Sequence, residues 1–301
     1  MDLGPRRELK EDRLHGSDLF PLAAYWIERP YNDGPVLDCH WHSEAEFFVV
    51  LEGEVLFQVD TDYFTVKAGE AVFIDGGDIH AGHPSGQAPC TYCAIVFDTA
   101  LLASSTYDLL QQKFVKPLQD KTRTFPRHIK PGSDWERSLL QGLGNIMKEF
   151  EGGQDGYEAA IKGTLLLMLR EIAPEGRYAN RSETASSDSA KIDRLKNVIG
   201  YMHRNYHRPV RIAELARQIP MSEGQFCRFF KGMTRQTPIE YLNAFRIRKA
   251  AELLLRPDSK ISNVAMDVGF DHISYFVKVF RSIMKCTPSE FRKKSMQHFE
   301  P

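Results

Sequence analysis

Two stretches decide the fold: IAELARQIPMSEGQFCRFFKGMTRQTPIEY at residues 212–241 and ISNVAMDVGFDHISYFVKVFRSIMKCTPSEF at residues 261–291. Ile212 matches Ile261, and after a slip of one residue Phe226 matches Phe276. Each copy predicts a short helix, a tight turn and a second helix with apolar residues on one face and basic residues on the other. This is the helix-turn-helix pattern, whose second helix enters the major groove. Two ordinary helical hairpins are the alternative, but basic residues that recur at equivalent positions argue against it.

The segment TPIEYLNAFRIRKAAELLLR between the two copies predicts one long helix. Thr237 is placed to cap it, Pro238 suits its first turn, and apolar residues follow in a helical rhythm. We expect this helix to hold the two units apart, so that both second helices reach successive major grooves about 34 Å apart.

Charge divides the chain, although its net charge is −1. Residues 191–301 hold 21 Lys and Arg against 10 Asp and Glu, whereas residues 1–190 hold 18 against 30. Such asymmetry is expected when one domain binds nucleic acid and the other does not. The segment at residues 173–191 is rich in polar and small residues and predicts a flexible linker between them.

The segments IEYLNAFRIRKAAELLL, DVGFDHISYFVKVFR and TPSEFR resemble the DNA-binding domain of AraC/XylS-type bacterial transcription regulators, over residues 193–292. The resemblance implies a seven-helix domain that acts on promoter DNA near RNA polymerase. Carried over by position, it implies that two sets of residues contact DNA: Glu223, Gly224, Gln225, Cys227 and Arg228 in the first unit, and His272, Ile273, Ser274, Val277 and Lys278 in the second. We expect the basic residues Lys231, Arg235 and Arg281 to contact DNA as well.

The side chains within these sets suggest how DNA is read. Arg228 and Lys278 can donate to guanine edges or to phosphates, while their small or apolar neighbours favour thymine-methyl contacts and readout of DNA shape. The phenylalanines of both second helices are expected to face inward: Phe226, Phe230, Phe276 and Phe280.

The sequence departs from this family at two helix ends. The family often has glycine where this chain has Arg235 and Lys285, at places suited to a left-handed helix cap. We expect these caps to be strained or differently built, and their cations to be placed to touch phosphate.

The stretch HWHSEAEFFVVLEG, residues 40–53, combines two histidines and a glutamate with an apolar run that is typical of a strand. His40, His42 and Glu46 have the same parity, so they would converge on one face of an unbroken strand. The following segments VLFQV, DYFTV and EAVFI predict short antiparallel strands that form a barrel or sandwich. A barrel could bring His80, which follows the turn at Gly76 and Gly77, beside the other three side chains.

This region resembles the cupin fold. Gly34, His40, His42, Glu46 and Gly53 follow the first cupin motif, and Gly69, Gly77 and His80 follow the second, with Asp75 where proline is usual. The predicted fold class is therefore α+β: an N-terminal antiparallel cupin-like β-barrel with a helical pair, then an all-α domain with two helix-turn-helix units.

The four side chains His40, His42, Glu46 and His80 support two interpretations. They suit one divalent transition metal, such as Fe, Mn, Ni or Zn, with open positions for a ligand, and no other cofactor is expected. They could equally bind the hydroxyls of an effector such as a sugar, against whose ring Trp26 offers an apolar face. A core role for Trp26 is the plainer alternative. His15 and His83 are expected at the surface.

Two segments after the barrel, DWERSLLQGLGNIMKEF and YEAAIKGTLLLMLREI, predict an antiparallel helix pair. The resemblance implies that this pair supplies a homodimer interface. We therefore expect a cupin-like effector-binding domain at residues 1–105, a helical dimerisation region at 106–173, a flexible linker at 174–190 and the DNA-binding domain at 191–301.

The functional hypothesis is a sequence-specific DNA-binding transcription regulator, expected to be an activator, that is controlled by a small-molecule effector. The alternative is a metal-dependent cupin enzyme of oxygenase or isomerase type fused to a DNA-binding domain. The fusion favours the regulator, because a cupin fold alone does not establish catalysis. We therefore expect no enzyme activity and assign no catalytic residue.

The remaining patterns concern location and cysteine chemistry. No apolar run approaches the roughly 20 residues of a membrane helix, and the first residues hold no secretory core, so we expect a cytoplasmic protein. Five scattered cysteines do not predict a disulfide framework, and Cys90 and Cys93 of the one CxxC are expected in the core.

Overall fold

The computed structural model describes residues 10–297 apart from residues 12, 31–34, 180–184 and 256–258. Gly34, which the cupin resemblance singles out, lies outside the described residues. The chain divides into two compact units, with the boundary at Asp188 and Ser189.

The N-terminal unit is built on two antiparallel sheets. Its strands are β1 (Leu22–Arg29), β2 (Leu37–His40), β3 (Ala45–Glu52), β4 (Glu54–Val59), β5 (Asp62–Lys67), β6 (Ala71–Ile74), β7 (His80–Pro84), β8 (Cys90–Phe97) and β9 (His128–Ile129). One sheet has the order β1-β8-β3-β6-β9 and the other β2-β7-β4-β5. Within the described ranges no strand pairing joins the sheets, so the expected barrel is a pair of facing sheets. The edge strands β2 and β9 are four and two residues long, too short to continue a ladder.

Strand β3 is buried on both faces, which explains its uninterrupted apolar run. Phe48 and Val50 belong to the core between the two sheets, where the Phe48 ring lies 4.6 Å from the ring of Phe57. Phe47 and Val49 alternate with them and belong to a second core. That second core lies between the five-stranded sheet and helices.

The helical segments of this unit are a 3-10 turn (Thr99–Leu102), a π-helical turn (Gln111–Val115) that runs into α1 (Lys116–Gln119), α2 (Asp134–Gly152) and α3 (Tyr157–Ile172). Helix α2 begins with a capping box formed by Ser133 and Glu136. Buried residues of α2 and α3 share one core with the five-stranded sheet. Strand β9, inside the range expected to be a helical dimerisation region, pairs with β6. Packing against the sheet therefore explains the apolar face of this pair, and its role in dimerisation stays a prediction.

Cys90 and Cys93 lie buried in β8, as expected for core residues. Three residues apart on a strand, they face opposite sides: Cys90 lies in the core between the sheets and Cys93 in the core beneath the helices. Burial raises the pKa of the Cys93 thiol to about 12, so this thiol stays protonated at neutral pH.

The C-terminal unit holds seven helices in its described part: α4 (Ala185–Asn205), α5 (Ile212–Ala216), α6 (Glu223–Thr234), α7 (Pro238–Leu254), α8 (Ile261–Asp267), α9 (Ile273–Met284) and α10 (Pro288–Gln297). The pairs α5–α6 and α8–α9 are the two predicted helix-turn-helix units. Helix α7 is the predicted connecting helix, and Thr237 caps it in a capping box with Glu240.

The linker expected at residues 174–190 is wrong over its last residues, because α4 begins at Ala185. Helix α4 is anchored further along the chain by Leu195, Val198 and Met202, which are fully buried. Once a helix is nucleated, each added residue gains a hydrogen bond at little further cost, so a Ser-rich composition does not prevent its extension.

None of the helices in the described ranges is both long enough and apolar enough to cross a membrane.

Candidate functional site: a buried His and Glu cluster and two exposed recognition helices

The four predicted side chains come together at one end of the two-sheet sandwich. His40 ends β2 and lies opposite His80, the first residue of β7, in the antiparallel register. Glu46 lies in β3 of the other sheet, and one ligand atom from each of the four residues lies within 4.8 Å of the others. All four side chains are buried.

The route to this cluster differs from the expected one. The strand does not run unbroken from His40 to Glu46, because β2 ends at His40 and β3 begins at Ala45. His42 lies in the connection between them. The cluster is therefore assembled from two sheets and a connecting turn, and not from one face of one strand.

Each imidazole is held by a main-chain carbonyl two residues away. Nδ1 of His40 lies 2.7 Å from the Asp38 carbonyl oxygen, Nδ1 of His80 lies 2.9 Å from that of Asp78, and Nδ1 of His42 lies 3.0 Å from that of Glu44. A carbonyl oxygen only accepts, so each Nδ1 must carry the proton and donate it. In a neutral ring, Nε2 then bears a free lone pair, which is the form of histidine that binds metal.

The Glu46 carboxylate lies close to two of these Nε2 atoms. Its Oε2 is 3.0 Å from Nε2 of His42 and 3.4 Å from Nε2 of His80. Oε1 of Glu46 and Nε2 of His80 are buried without a hydrogen-bond partner among the described residues. Several acceptors therefore converge with too few donors, an arrangement that a bound cation would satisfy.

The protonation of the cluster follows the same geometry. Burial and the nearby His80 hold the pKa of His40 well below its usual value. Burial alone would raise the pKa of Glu46, but its hydrogen bond with His42 and its interaction with the nearby His80 outweigh burial and hold this pKa well below the usual range. Burial opposes a charge on His42 as well, but its hydrogen bond to Glu46 and the charge of Glu46 raise its pKa. A positive charge, carried by a proton or a metal ion, is therefore favoured between His42 and Glu46.

The donor atoms of the cluster fit a transition metal. Three imidazole nitrogens and one carboxylate are borderline donors that suit Fe, Mn, Ni or Zn, and the hydrogen bonds at Nδ1 are the outer partners that such ligands usually have. Oε1 of Glu46 and Nε2 of His80, which are buried without a hydrogen-bond partner among the described residues, support the same conclusion.

Two residues near the cluster, His15 and Glu11, were not expected there. His15 was placed at the surface by sequence, but it is only 3% exposed and its ring centroid lies 5.5 Å from that of His42. Its Nδ1 lies 3.1 Å from the hydroxyl of Tyr25, which belongs to the core between the sheets. Glu11 approaches His40 from the other side. The segment before β1 has no hydrophobic periodicity, so no sequence signal placed it at the site.

Trp26 does not join the cluster, which corrects the expectation that it lines an effector pocket. It lies opposite Cys93 in the β1–β8 register, and Cys93 belongs to the core beneath the helices. The Trp26 ring lies 6.2 Å from the ring of Phe150 in α2 and is 37% exposed. Strand alternation gives the inward position to its neighbour Tyr25.

The first recognition helix, α6, presents the predicted DNA-contacting side chains to solvent. Glu223, Gly224, Gln225, Arg228, Lys231 and Arg235 are exposed and Cys227 is half-buried, while Phe226 and Phe230 are fully buried. The Gln225 side-chain oxygen accepts from the Ser222 main chain and hydroxyl in a capping box, so Gln225 can offer DNA only its amide NH₂ group.

The second recognition helix, α9, repeats this arrangement. His272, Ile273, Ser274, Lys278 and Arg281 are exposed and Val277 is half-buried, while Phe276 and Phe280 are fully buried. Tyr275 stands where Gln225 stands in the first unit, is 48% exposed and accepts a hydrogen bond from Asn243 of α7. It was not among the expected contacts, although the repeat itself marks its position.

Both helices end in a left-handed cap without glycine. Arg235 and Lys285 have φ values of 58° and 59°, so the caps have the conformation in which glycine is usual. Both side chains are exposed. This conformation destabilises the fold by about 1 kcal/mol or more when the residue has a Cβ. At both positions the residue that bears this cost is a cation.

We expect Lys285→Gly to raise the free energy of unfolding of the C-terminal unit by about 0.5 to 1 kcal/mol, because it relieves the left-handed strain. Denaturant unfolding followed by far-UV circular dichroism measures this effect. Ser282→Gly, at an exposed position inside the same helix, should have the opposite sign because glycine weakens helix interiors. Equal loss of stability in both variants would contradict the strain.

Comparison with known proteins agrees with this architecture. A helix-turn-helix domain model matches residues 215–294 and a cupin domain model matches residues 31–96. The HTH-type transcriptional regulator YdeC of Bacillus subtilis is 28% identical over 288 residues, covering 95% of this chain and 97% of that protein. The HTH-type transcriptional activator RhaS of Klebsiella pneumoniae is 22% identical, covering 93% and 96%. The solved structure of apo ToxT from Vibrio cholerae covers 93% of this chain and 99% of its own, with 15% identity and a TM-score of 0.42.

The two domain matches and the two similar regulators, together with the repeated basic helices and the two-sheet unit, indicate a DNA-binding transcription regulator that carries a cupin domain. In this architecture the chain is similar to AraC-type regulators.

Proposed function

We propose that this regulator senses a small molecule at the His and Glu cluster and changes its affinity for promoter DNA in response. The observation that carries the proposal is the convergence of three imidazoles and the Glu46 carboxylate in a buried site. Such a site is costly to bury unless it binds something. The same chain carries two exposed basic recognition helices, so a ligand bound at the cluster can act by changing the affinity for DNA.

One divalent transition metal is the proposed resident of the cluster, held by His40, His42, Glu46 and His80. When bound, it would supply positive charge and open coordination positions for an oxygen atom of the effector. The protein's part is to aim the three imidazoles through their Nδ1 hydrogen bonds and to exclude bulk water by burial.

A sugar or another hydroxyl-rich metabolite is the proposed effector, since hydroxyl groups suit both a metal and a wall of imidazoles and carboxylates. We propose activation as the outcome, supported by the activator RhaS among the similar proteins. The other proposed partners are a second copy of the chain in a homodimer and RNA polymerase at a cytoplasmic promoter. Coupling between effector and DNA is typically worth about 1 to 3 kcal/mol, or roughly 5- to 150-fold in affinity.

A metal-dependent cupin enzyme fused to a DNA-binding domain is the second candidate, because the same donor set with open positions also suits oxygenase chemistry. The similar proteins named above are transcription regulators, which favours sensing. Turnover of a candidate effector by the metal-loaded chain would support the enzyme, whereas an effector that changes DNA affinity and is recovered intact would support the sensor.

Elemental analysis of untagged protein purified without chelator tests the metal. We expect close to one equivalent of metal in the wild type and at least about a tenfold loss in His42→Ala, which removes a ligand. His83→Ala is the matched control, because His83 is half-buried beside Tyr63 and outside the cluster, and it should retain the metal. Wild-type protein without metal would overturn this part and leave the four side chains as polar walls for an organic effector.

The regulatory half is tested separately by fluorescence anisotropy on a duplex that the wild-type protein selects from a random pool. DNA affinity is measured with and without added metal and across a panel of sugars. A change of about fivefold or more with one combination supports the proposal. Unchanged affinity throughout would reject hydroxyl-rich effectors as the controlling ligands.

A further inference from the structure

Tyr275 lies on the flank of the second recognition helix, beside the residues predicted to contact DNA. It is 48% exposed and comes three residues before the exposed Lys278, so the two side chains are neighbours on the surface of α9. Phe276 takes the buried side of the helix. The phenol ring therefore lies at the edge of the surface that α9 offers to the major groove.

The hydroxyl of Tyr275 is tied to the connecting helix. Its oxygen accepts a hydrogen bond from Nδ2 of Asn243 in α7 at 3.0 Å. Asn243 is only 7% exposed, and most of the buried residues of α7 are apolar. A buried amide is costly unless it is hydrogen-bonded, so this contact fixes both side chains. The Phe270 ring, 5.9 Å from the Tyr275 ring, supports the phenol from the turn before α9.

The equivalent position has a different task in the first unit. There Gln225 occupies it, and the Gln225 side-chain oxygen accepts from Ser222 in the capping box of α6. Helix α9 begins after His272 without a side-chain capping hydrogen bond, so Tyr275 does not cap it. The tyrosine oxygen accepts from Asn243, which leaves its own proton available, and that proton has no acceptor among the described residues.

We propose that the Tyr275 hydroxyl donates to a phosphate oxygen of DNA, and that Asn243 is the residue that positions it. A phosphate oxygen only accepts, and an exposed hydroxyl with an unused proton is a suitable donor for it. Lys278 and Arg281 are exposed cations of the same helix, and they attract the phosphate backbone to it. This inference rests on the DNA-binding half of the proposed function and is independent of the metal and the effector.

The contact fixes the position of α9 in the groove. Phosphate contacts set the register of a protein on the duplex without reading its sequence. The hydrogen bond from Asn243 orients the phenol before DNA arrives, so less side-chain freedom is lost on binding. The connecting helix thereby contributes to DNA binding through a side chain that stays buried.

The test measures DNA binding by the full chain when single phosphates of the duplex are made neutral. Fluorescence anisotropy is recorded on the duplex that the wild-type protein selects, and on copies that each carry one methylphosphonate. We expect Tyr275→Phe, which removes only the hydroxyl, to bind the unmodified duplex about 5- to 20-fold more weakly. At one methylphosphonate the wild type should lose a similar factor and Tyr275→Phe should lose nothing further, because its contact is already gone.

Asn243→Ala tests the positioning role. It should weaken binding by about 3- to 10-fold and reduce the sensitivity to the same methylphosphonate, and its addition to Tyr275→Phe should cause no further loss. A purely structural role would leave the full sensitivity at every phosphate. Tyr107→Phe is the control, because it removes an exposed hydroxyl from the N-terminal unit and should bind every duplex as the wild type does. Matching thermal unfolding of the variants excludes a folding defect.

The outcomes separate this inference from the proposed function. Wild-type protein that selects no duplex would overturn both. Equal affinity of the wild type and Tyr275→Phe would overturn the phosphate contact and leave the regulator intact. Weaker binding by Tyr275→Phe with unchanged sensitivity at every phosphate would also reject it, because the hydroxyl would then contact a base or only support the helix. Wild-type affinity in Asn243→Ala would remove Asn243 as the positioning residue.

Discussion

Replacing Arg246 by alanine is expected to lower the free energy of unfolding of the C-terminal unit by about 3 to 5 kcal/mol. Arg246 is a buried cation in α7 whose Nε donates to the Tyr206 carbonyl oxygen at 2.8 Å and whose Nη2 donates to that of Arg208 at 2.6 Å. Its guanidinium also lies over the Phe270 ring, 5.5 Å from the centroid. Alanine would leave two carbonyls without their charged donor and a cavity beside Phe270.

The tryptophans make this effect measurable in the full chain. All three, Trp26, Trp41 and Trp135, lie in the N-terminal unit, whereas most long helices lie in the C-terminal unit. In a denaturant titration of Arg246→Ala, the far-UV circular dichroism midpoint should fall while the tryptophan fluorescence midpoint stays.

Two variants of the same helix control for this result. Arg246→Lys keeps the charge but loses the guanidinium group that donates to both carbonyl oxygens. Its free energy of unfolding should therefore lie between those of the wild type and Arg246→Ala. Lys249→Ala removes a half-buried cation that pairs with the exposed Glu252 at 3.1 Å and lies 5.8 Å from the centroid of the Phe245 ring, and it should change stability by no more than about 1 kcal/mol. If Arg246→Ala unfolds with wild-type midpoints, the buried donor network does not hold this unit together.

The second large effect is expected at the DNA interface. Arg228→Ala and Lys278→Ala should each weaken operator binding by about 1 to 3 kcal/mol, and the double variant by nearly the sum, since the two side chains lie on separate recognition helices. Both side chains are exposed at equivalent positions of the repeat. Gel-shift titration on the selected duplex measures each loss.

Salt dependence then separates the two roles that each cation can have. A lost phosphate contact reduces the slope of log affinity against log salt by about 1, whereas a lost base contact leaves that slope nearly unchanged and relaxes specificity at one position. Lys148→Ala removes an exposed cation from α2 in the N-terminal unit and controls for net charge. Affinity equal to that of Lys148→Ala would remove Arg228 and Lys278 from the interface.

The helical unit could be predicted well from sequence because its repeat supplies one pattern twice. The inward Phe226 and Phe276, the exposed Arg228 and Lys278, and the Thr237 cap all follow from 3.6-residue periodicity and local capping chemistry. Arg246 could not be predicted. Charged residues are usually solvated, and its two acceptors come from a loop about 40 positions earlier in the chain.

The cluster was predicted in its membership but not in its construction. His40, His42, Glu46 and His80 were identified by motif spacing, whereas the break between β2 and β3 was not, because parity arguments assume a continuous strand.

The faces and neighbours of the cluster depend on tertiary packing. The face that Trp26 occupies depends on which side of β1 the helices cover, and this information is absent from the strand itself. Glu11 and His15 come from a segment without periodicity, so their positions are set by contacts that no local pattern encodes.

The three imidazoles of the cluster are each aimed by a carbonyl within their own tripeptide. Orientation is thus stored in very short pieces of chain and does not depend on the distant walls of the pocket. Drift in those walls can alter which molecules fit while the nitrogens keep their direction. The cupin domain can therefore acquire specificity for new effectors in evolution, while the DNA-binding unit stays unchanged.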